Sequence, residues 1–291
     1  MEKTEHSVLG KKVSYPSGYD PSVLVAVPRI ENRISIGFND DQKMFVGYDT
    51  WHAYEAGFLL NTGMPVAGLL KLVYPSSSPN IVESKSLKLY LNSFNMHRFI
   101  GEKKIAIDEF VSTICSDLTA VLGIEPSAHF FENEVKMKED FAGYDSLEHI
   151  IDIEKLIIEH YNERAELLVA ESSEPSSFKL ASALLRSNCK VTFQPDWGSV
   201  FIQMKSDISI DKASLLKYIV SFRTENHFHE EICETIYVRL WEKFKPEELA
   251  VTCIYTRRGG IDICPTRASN ELLLPDNLIN PESLTPKLLR Q

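Results

Sequence analysis

A cysteine and an aspartate seven positions apart, Cys189 and Asp196 in ALLRSNCKVTFQPDWGSV (183–200), have the residue types needed for covalent chemistry. Cys189 is flanked by Arg186, Ser187, Asn188 and Lys190. Cations close by favour the thiolate over a thiol whose ordinary pKa is ~8.5. Asp196 follows Pro195 in a stiff QPDW turn, which can fold its carboxyl back to give or take a proton. The alternative for any free cysteine is a small buried hydrophobe. Cys115, Cys253 and Cys264 suit that role, because they sit in apolar periodic segments.

Three further stretches carry groups that can bind a ligand. In ENHFHEE (225–231), His227 and His229 share a face if the chain is extended, as metal ligands do. If a helix starts there instead, Glu230 and Glu231 complement its N-terminal dipole. In a third arrangement His229 and Glu230 face a polar ligand, the carboxylate accepting paired N–H donors from a purine-like ring. VESKSLKLY (82–90), with Glu83, Lys85 and Lys88, reads as a capped, amphipathic helix start. RRGG (257–260) reads as a hairpin turn, and paired arginines at such a turn suit a phosphate. The chain has no G-x-G-x-x-G, no Walker phosphate loop, no G-x-S-x-G and no H-E-x-x-H. A nucleotide cofactor must therefore bind outside the usual crevice.

The elements that must position these residues belong to an ordinary globular chain. It has 291 residues, 44% apolar, 25% charged and 10% aromatic. A net charge of -10 disfavours a dedicated nucleic-acid or anionic-membrane binder. No apolar run approaches the ~18 residues of a membrane span. The start, MEKTEHSVLGKK, lacks the apolar core of a signal peptide. Five widely spaced cysteines, with no C-x-x-C pair, indicate neither a disulfide framework nor a zinc ribbon. A cytoplasmic location is expected.

VLVAVPRIENRISIGF (23–38) reads as strand, turn, strand. Residues 105–123 read as a helix, with Phe110, Ile114 and Leu118 in register and Gly123 as the stop. Residues 230–244 read as a second helix, and LAVTCIYTRRGGIDICP (249–265) as a hairpin. ESSEPSSF (171–178) is the linker candidate. Residues 135–170 fit helix and strand equally. SLKLYLNSF (86–94) is echoed by SLLKYIVSF (214–222) at an offset of 128, which suggests two copies of one mixed domain.

VESKSLKLYLNSF, SNCKVTFQPDWGSV, FHEEICE and YTRRGGIDI each resemble a signature block of the 7-cyano-7-deazaguanine reductase (QueF) family, in the right order, from about Gly47 to the end. VGYDTWHAYE (46–55) resembles its two-module branch. The resemblance implies an α+β fold of two tandem tunnelling-fold (T-fold) modules, antiparallel sheets with helices packed on one face. Residues 1–170 would carry ESKSLK, and 171–291 the nucleophile and the His-Glu pair. It implies NADPH-dependent reduction of the nitrile of 7-cyano-7-deazaguanine to an amine, for tRNA queuosine synthesis. Cys189 would be the nucleophile that forms a thioimide, and Asp196 the proton donor. Val82, Glu83, Ser84, His229 and Glu230 would hold the deazapurine, and Ser84, Lys85, Arg258 and Gly259 the NADPH. No metal, no direct nucleic-acid contact, no membrane and a homodimer are further expectations. Lys190 and Phe193 depart from the small or apolar residues expected beside the nucleophile. Cys233, four residues after His229, is a candidate for a reversible disulfide with Cys189. Three rival readings use the same residues. A nitrile hydrolase would use Cys189, Glu83 and Lys85. A zinc cyclohydrolase on the same fold would use His227, His229 and a cysteine. The third is a non-catalytic purine-binding module.

Overall fold

The computed structural model describes residues 18–38 and 44–291; the N-terminal stretch MEKTEHSVLGKK lies outside them. The first half folds as a long hairpin, β1 (Val46–Leu60) and β2 (Pro65–Pro75), followed by α1 (Ser84–Ser93), α2 (Lys103–Leu122) and β3 (Ser127–Phe131). The second half repeats the plan with β4 (Ser176–Cys189), β5 (Pro195–Ser206), α3 (Lys212–Ser221), α4 (His229–Phe244), β6 (Glu248–Tyr255) and β7 (Ile261–Ala268). The two sheets join into one, in the order β4-β5-β6-β7-β1-β2-β3, antiparallel along this path. The junction between halves is the β7–β1 ladder, from Ile261 opposite Ala53 to Ala268 opposite Val46. This is the expected α+β class with two halves in tandem.

The helices cover one face of the sheet, and each half has its own core. In α2, Ala106, Phe110, Ile114, Leu118 and Leu122 recur every fourth residue and are fully buried against β1, β2 and α1. Each such large side chain contributes about 1.5–3 kcal/mol. Gly123 ends α2 in the left-handed region, the conformation in which glycine meets no Cβ penalty. The second core packs α3 and α4 on β4, β5 and β6. Alternation along β7 turns Ile261 and Ile263 toward the first core, and Cys264 toward the opposite face. The C-terminal tail covers that face. Leu274 and Leu278 pack there, and the Lys71 ammonium donates to the carbonyls of Asn277, Asn280 and Ser283, each at 2.7 Å.

The internal echo is structural. Glu83 and Asp211 cap α1 and α3 by accepting from the amides of Ser86 and Ser214. Both serine hydroxyls accept from an upstream valine amide, that of Val25 or of Val169. The segment ending at Val169 therefore serves the second half as the segment ending at Val25 serves the first. Leu147 and Leu168 are likewise buried in the second core. Residues 135–169 contain only short helical turns and a two-residue strand, which is why no single periodicity described them.

Two expectations are corrected. In 23–38 only Ala26–Pro28 is a strand, and Ile30–Ser35 is a helix. Arg29 and Arg33, one turn apart, reach the buried carboxylates of Asp49 and Glu234, a spacing helical backbone provides. ESSEPSSF is not a free linker. Ala170–Ser172 pairs with Ser209–Ile210, and β4 already begins at Ser176.

Candidate active site

A cavity of about 540 Å³ opens where the two halves meet. Its walls come from the start of α1, the end of β4, the start of β5, the start of α4 and the β6–β7 turn. These carry VESKSLKLY, SNCKVTFQPDW, FHEE and TRRGG, brought together from opposite ends of the chain.

Cys189 is the last residue of β4 and lines the cavity half-buried. Its amide donates to the Gln194 carbonyl at 2.8 Å, and its carbonyl accepts from Phe193 at 2.9 Å. This tight turn puts Phe193 at φ 58 with its side chain exposed to solvent. Lys190 is turned aside too, donating to Glu231 at 2.8 Å. Neither of these two departures lines the cavity that Cys189 faces.

Asp196, at the start of β5, is buried. One oxygen pairs with Arg258, and the other lies 3.4 Å from His229 Nε2. Burial alone would raise its pKa, but His229 and Arg258 outweigh burial and hold it below the usual aspartate value. The His229 ring is itself fixed by stacking on Tyr255, centroids 3.8 Å apart at 19°.

Glu230 is buried at 2% exposure, and its Oε1 has no hydrogen-bond partner. An orphaned carboxylate oxygen in a cavity wall marks a place for an incoming donor. Burial and the neighbouring Asp49 push its pKa up to about 8. Behind it lies a buried network. Arg33 and Arg267 both bind Glu234, Arg267 binds Asp49 at 2.9 Å, and Arg29 also binds Asp49. Three arginines face two carboxylates there, so an ionised Glu230 would balance the cluster.

From α1, Val82, Ser84 and Lys85 line the cavity. The Glu83 carboxylate does not; it accepts from the Ser86 amide at 2.7 Å as the helix cap. The N-cap position of α1 demands that role. It also takes Glu83 out of the triad a nitrile hydrolase would need. Lys85, Lys88 and Arg258 form a cationic rim beside Gly259. Burial holds Lys85 below the usual lysine range, with Arg258 and Lys88 acting in the same direction and Cys189 and Glu83 opposing. At Gly259, a Cβ would stand 2.5 Å from Lys88 Nζ. A turn this close to three cations fits the phosphates of a dinucleotide.

His227 Nδ1 lies 3.1 Å from Glu231, its Nε2 lies 3.5 Å from Glu225, and His229 faces Asp196. Among the described residues, the one group with metal-ligand spacing is His52, Asp262 and Cys264. It lies on the tail-covered face, where Lys287 and Tyr54 already bind Asp262. Cys233 is fully buried, its sulfur 3.5 Å from the carbonyls of Val251 and Pro265. It faces the sheet, not the cavity that Cys189 lines. Sequence reasoning missed Gln194, Phe228 and Trp51 as lining residues. Gln194 was the detectable one, since it opens the QPDW turn.

Residues 15–128 match the family model described as nitrile reductase, 7-cyano-7-deazaguanine-reductase N-term, and residues 195–272 match one described as QueF-like protein. The NADPH-dependent 7-cyano-7-deazaguanine reductase of Polaromonas sp. is 41% identical over 281 residues, covering 96% of this chain and 98% of that one. The proteins of the same name from Cupriavidus taiwanensis and Xanthomonas campestris pv. campestris are each 39% identical, covering 96% and 94% of this chain and 99% and 97% of theirs. The apo crystal structure of the archaeosine synthase QueF-Like overlaps 34% of this chain and 95% of that chain at 16% identity, with a TM-score of 0.29. On the full-length likeness to curated reductases, the chain belongs to the NADPH-dependent 7-cyano-7-deazaguanine reductase family.

Proposed function

We propose that this chain reduces the nitrile of 7-cyano-7-deazaguanine to the amine of 7-aminomethyl-7-deazaguanine, using two NADPH per nitrile, as a step of tRNA queuosine synthesis. The observation that carries the chemistry is the convergence of Cys189, Asp196 and the unpartnered Glu230 on one cavity. Glu230 accepts the paired N–H donors of the deazaguanine edge, with His229 beside it. Val82 and Ser84 close the other side of the base, Glu83 acting through the helix start it caps.

Asp196 begins as a carboxylate, because Arg258 and His229 hold it so. It therefore first takes the Cys189 proton. The thiolate adds to the nitrile carbon, and Asp196 passes the same proton to the nitrile nitrogen, giving a neutral thioimide. The proton-donor role is acquired during the reaction. NADPH supplies the two hydrides that a four-electron reduction requires. Lys85, Arg258 and the backbone around Ser84 and Gly259 hold its charged groups at the rim.

Intact-protein mass spectrometry with the cyano base and no NADPH tests the reading. A covalent adduct located at Cys189 is expected, followed by consumption of two NADPH per nitrile when cofactor is added. An unmodified Cys189, or nitrile loss without NADPH oxidation, would overturn it and favour binding alone or hydrolysis. A cytoplasmic homodimer belongs to the same reading. Strand β3 is hydrogen-bonded on one side only among the described residues, and light scattering reads the mass directly. No helix among the described residues is long and apolar enough to cross a membrane.

A further inference from the structure

Reducing one nitrile to an amine takes up two hydrides and two protons. The thiol's own proton does not count toward these. It goes to nitrogen when the C–S bond forms and returns to sulfur when that bond breaks. After the addition, Asp196 must therefore load a proton from solvent twice per turnover, once with each hydride. A carboxylate locked to a guanidinium is a poor acceptor of those protons. The pairing that keeps Asp196 in its ionised form before the addition thus opposes its reprotonation for the two hydride transfers.

Two side chains hold Asp196 ionised, His229 and Arg258, and Arg258 is the more exposed of them. Arg258 lies on the turn after β6, its side chain 34% exposed, while the Asp196 side chain is 4% exposed. One Arg258 nitrogen pairs with Asp196 Oδ1, and another donates to Gln194 Oε1 at 2.5 Å. Lys85 and Lys88, the other two rim cations, form no ion pair among the described residues. Arg258 is thus the rim cation already engaged with the catalytic carboxyl. The charged groups facing Asp196 are His229 from α4 and Arg258 from the turn; Tyr255 of β6 packs beneath the His229 ring.

We propose that Arg258 is shared between Asp196 and a phosphate of the cofactor, and that its transfer to the phosphate turns Asp196 from the base of the addition into the acid of the hydride steps. This rests on the proposed contact between Arg258 and NADPH. Once Arg258 has moved, burial opposes the Asp196 charge with only His229 left to offset it, so the carboxyl takes a proton more readily. The addition itself needs no cofactor, because the base form is the one present beforehand. Arg258 acts here as a positioning residue, working through Asp196.

If the two partners compete for one guanidinium, removing one must strengthen the other, and the coupling is reciprocal. NADP+, which carries the phosphates and no hydride, is the probe. By calorimetry, Asp196→Asn is expected to bind NADP+ on the order of tenfold more tightly than the unmodified protein. Arg258→Gln is expected to weaken NADP+, and adding Asp196→Asn to it should then change nothing. The same titrations in two buffers of different ionisation enthalpy count protons. NADP+ binding to the unmodified protein in mildly acidic buffer should take up more protons than binding to Asp196→Asn, a difference that a merely structural Arg258 would not produce. Unchanged or weaker NADP+ affinity in Asp196→Asn overturns the proposal, as does unchanged affinity in Arg258→Gln. A protein that forms the Cys189 adduct and binds NADP+ without this coupling loses the inference and keeps the function; one that forms no adduct loses the function itself.

Discussion

The binding role of Glu230 can be tested by replacing it with glutamine in a Cys189→Ala background, where only noncovalent binding of the cyano base is read. The substitution keeps the volume and removes the charge. Glu230 Oε1 is buried and has no protein partner, so its hydrogen bond to the ligand is not merely exchanged for one it already has. Two charge-assisted bonds to the deazaguanine edge become one neutral bond and one clash between an amide N–H and a ligand N–H. At roughly 1.5–3 kcal/mol for a bond to a charged group, the loss is about 3 kcal/mol, or about 10²-fold in Kd. The pH dependence gives a second, independent reading. Burial and Asp49 push the free carboxyl up to about 8, whereas the bound carboxyl is kept ionised by the ligand's N–H donors. Below that value, binding must expel a proton. Affinity should therefore fall by about tenfold per pH unit as the solution is acidified, and only in the protein that retains Glu230. Calorimetric titration across neutral pH measures both effects. A Kd within about threefold of the parent for Glu230→Gln, or the same pH slope in both proteins, would show that this carboxyl does not read the base.

Cys189→Ala alone should lose the covalent adduct and turnover while keeping noncovalent affinity for the cyano base, as mass spectrometry and calorimetry will report. Glu234→Gln should destabilise the fold by about 3–5 kcal/mol in urea titration, because it leaves Arg33 and Arg267 buried without their shared counter-charge. Burial opposes the Glu234 charge, but Arg267, Arg33 and Arg29 outweigh it and bring its pKa down to about 2. Its contribution is thus complete above the unfolded value of ~4.3 and is lost as pH falls through the folded one. The variant's acid unfolding should be correspondingly flatter. Lys71→Met removes the three bonds that hold the tail carbonyls. Amide exchange of residues 277–284 should then quicken by on the order of tenfold, with β1 and β2 unaffected.

The chemistry was legible in the chain wherever residue type and short spacing carry it. Cys189 among polar and basic neighbours, Asp196 after its proline, and the carboxylates at the start of α4 are local facts. The helices at 105–123 and 230–244 and the hairpin around Gly259-Gly260 followed from periodicity and turn residues, and the echo at offset 128 did announce two like halves. Local pattern could not fix what depends on partners far away in sequence. Residues 30–35 are helical, and Arg29 and Arg33 pair with carboxylates on β1 and α4 that lie far away in sequence. Glu83 looks as free as Glu230 in the sequence, yet one is spent on its own helix and the other is left open to a ligand. Asp196 is kept ionised against burial by His229 and by Arg258, 33 and 62 residues away, and Glu230 is pushed up by burial together with Asp49 from the other half of the molecule. The sequence by itself determined which groups could react. Tertiary structure decided which of them are buried, paired or unsatisfied, because desolvation and charge act through space and the β7–β1 ladder brings the two ends of the chain to one cavity.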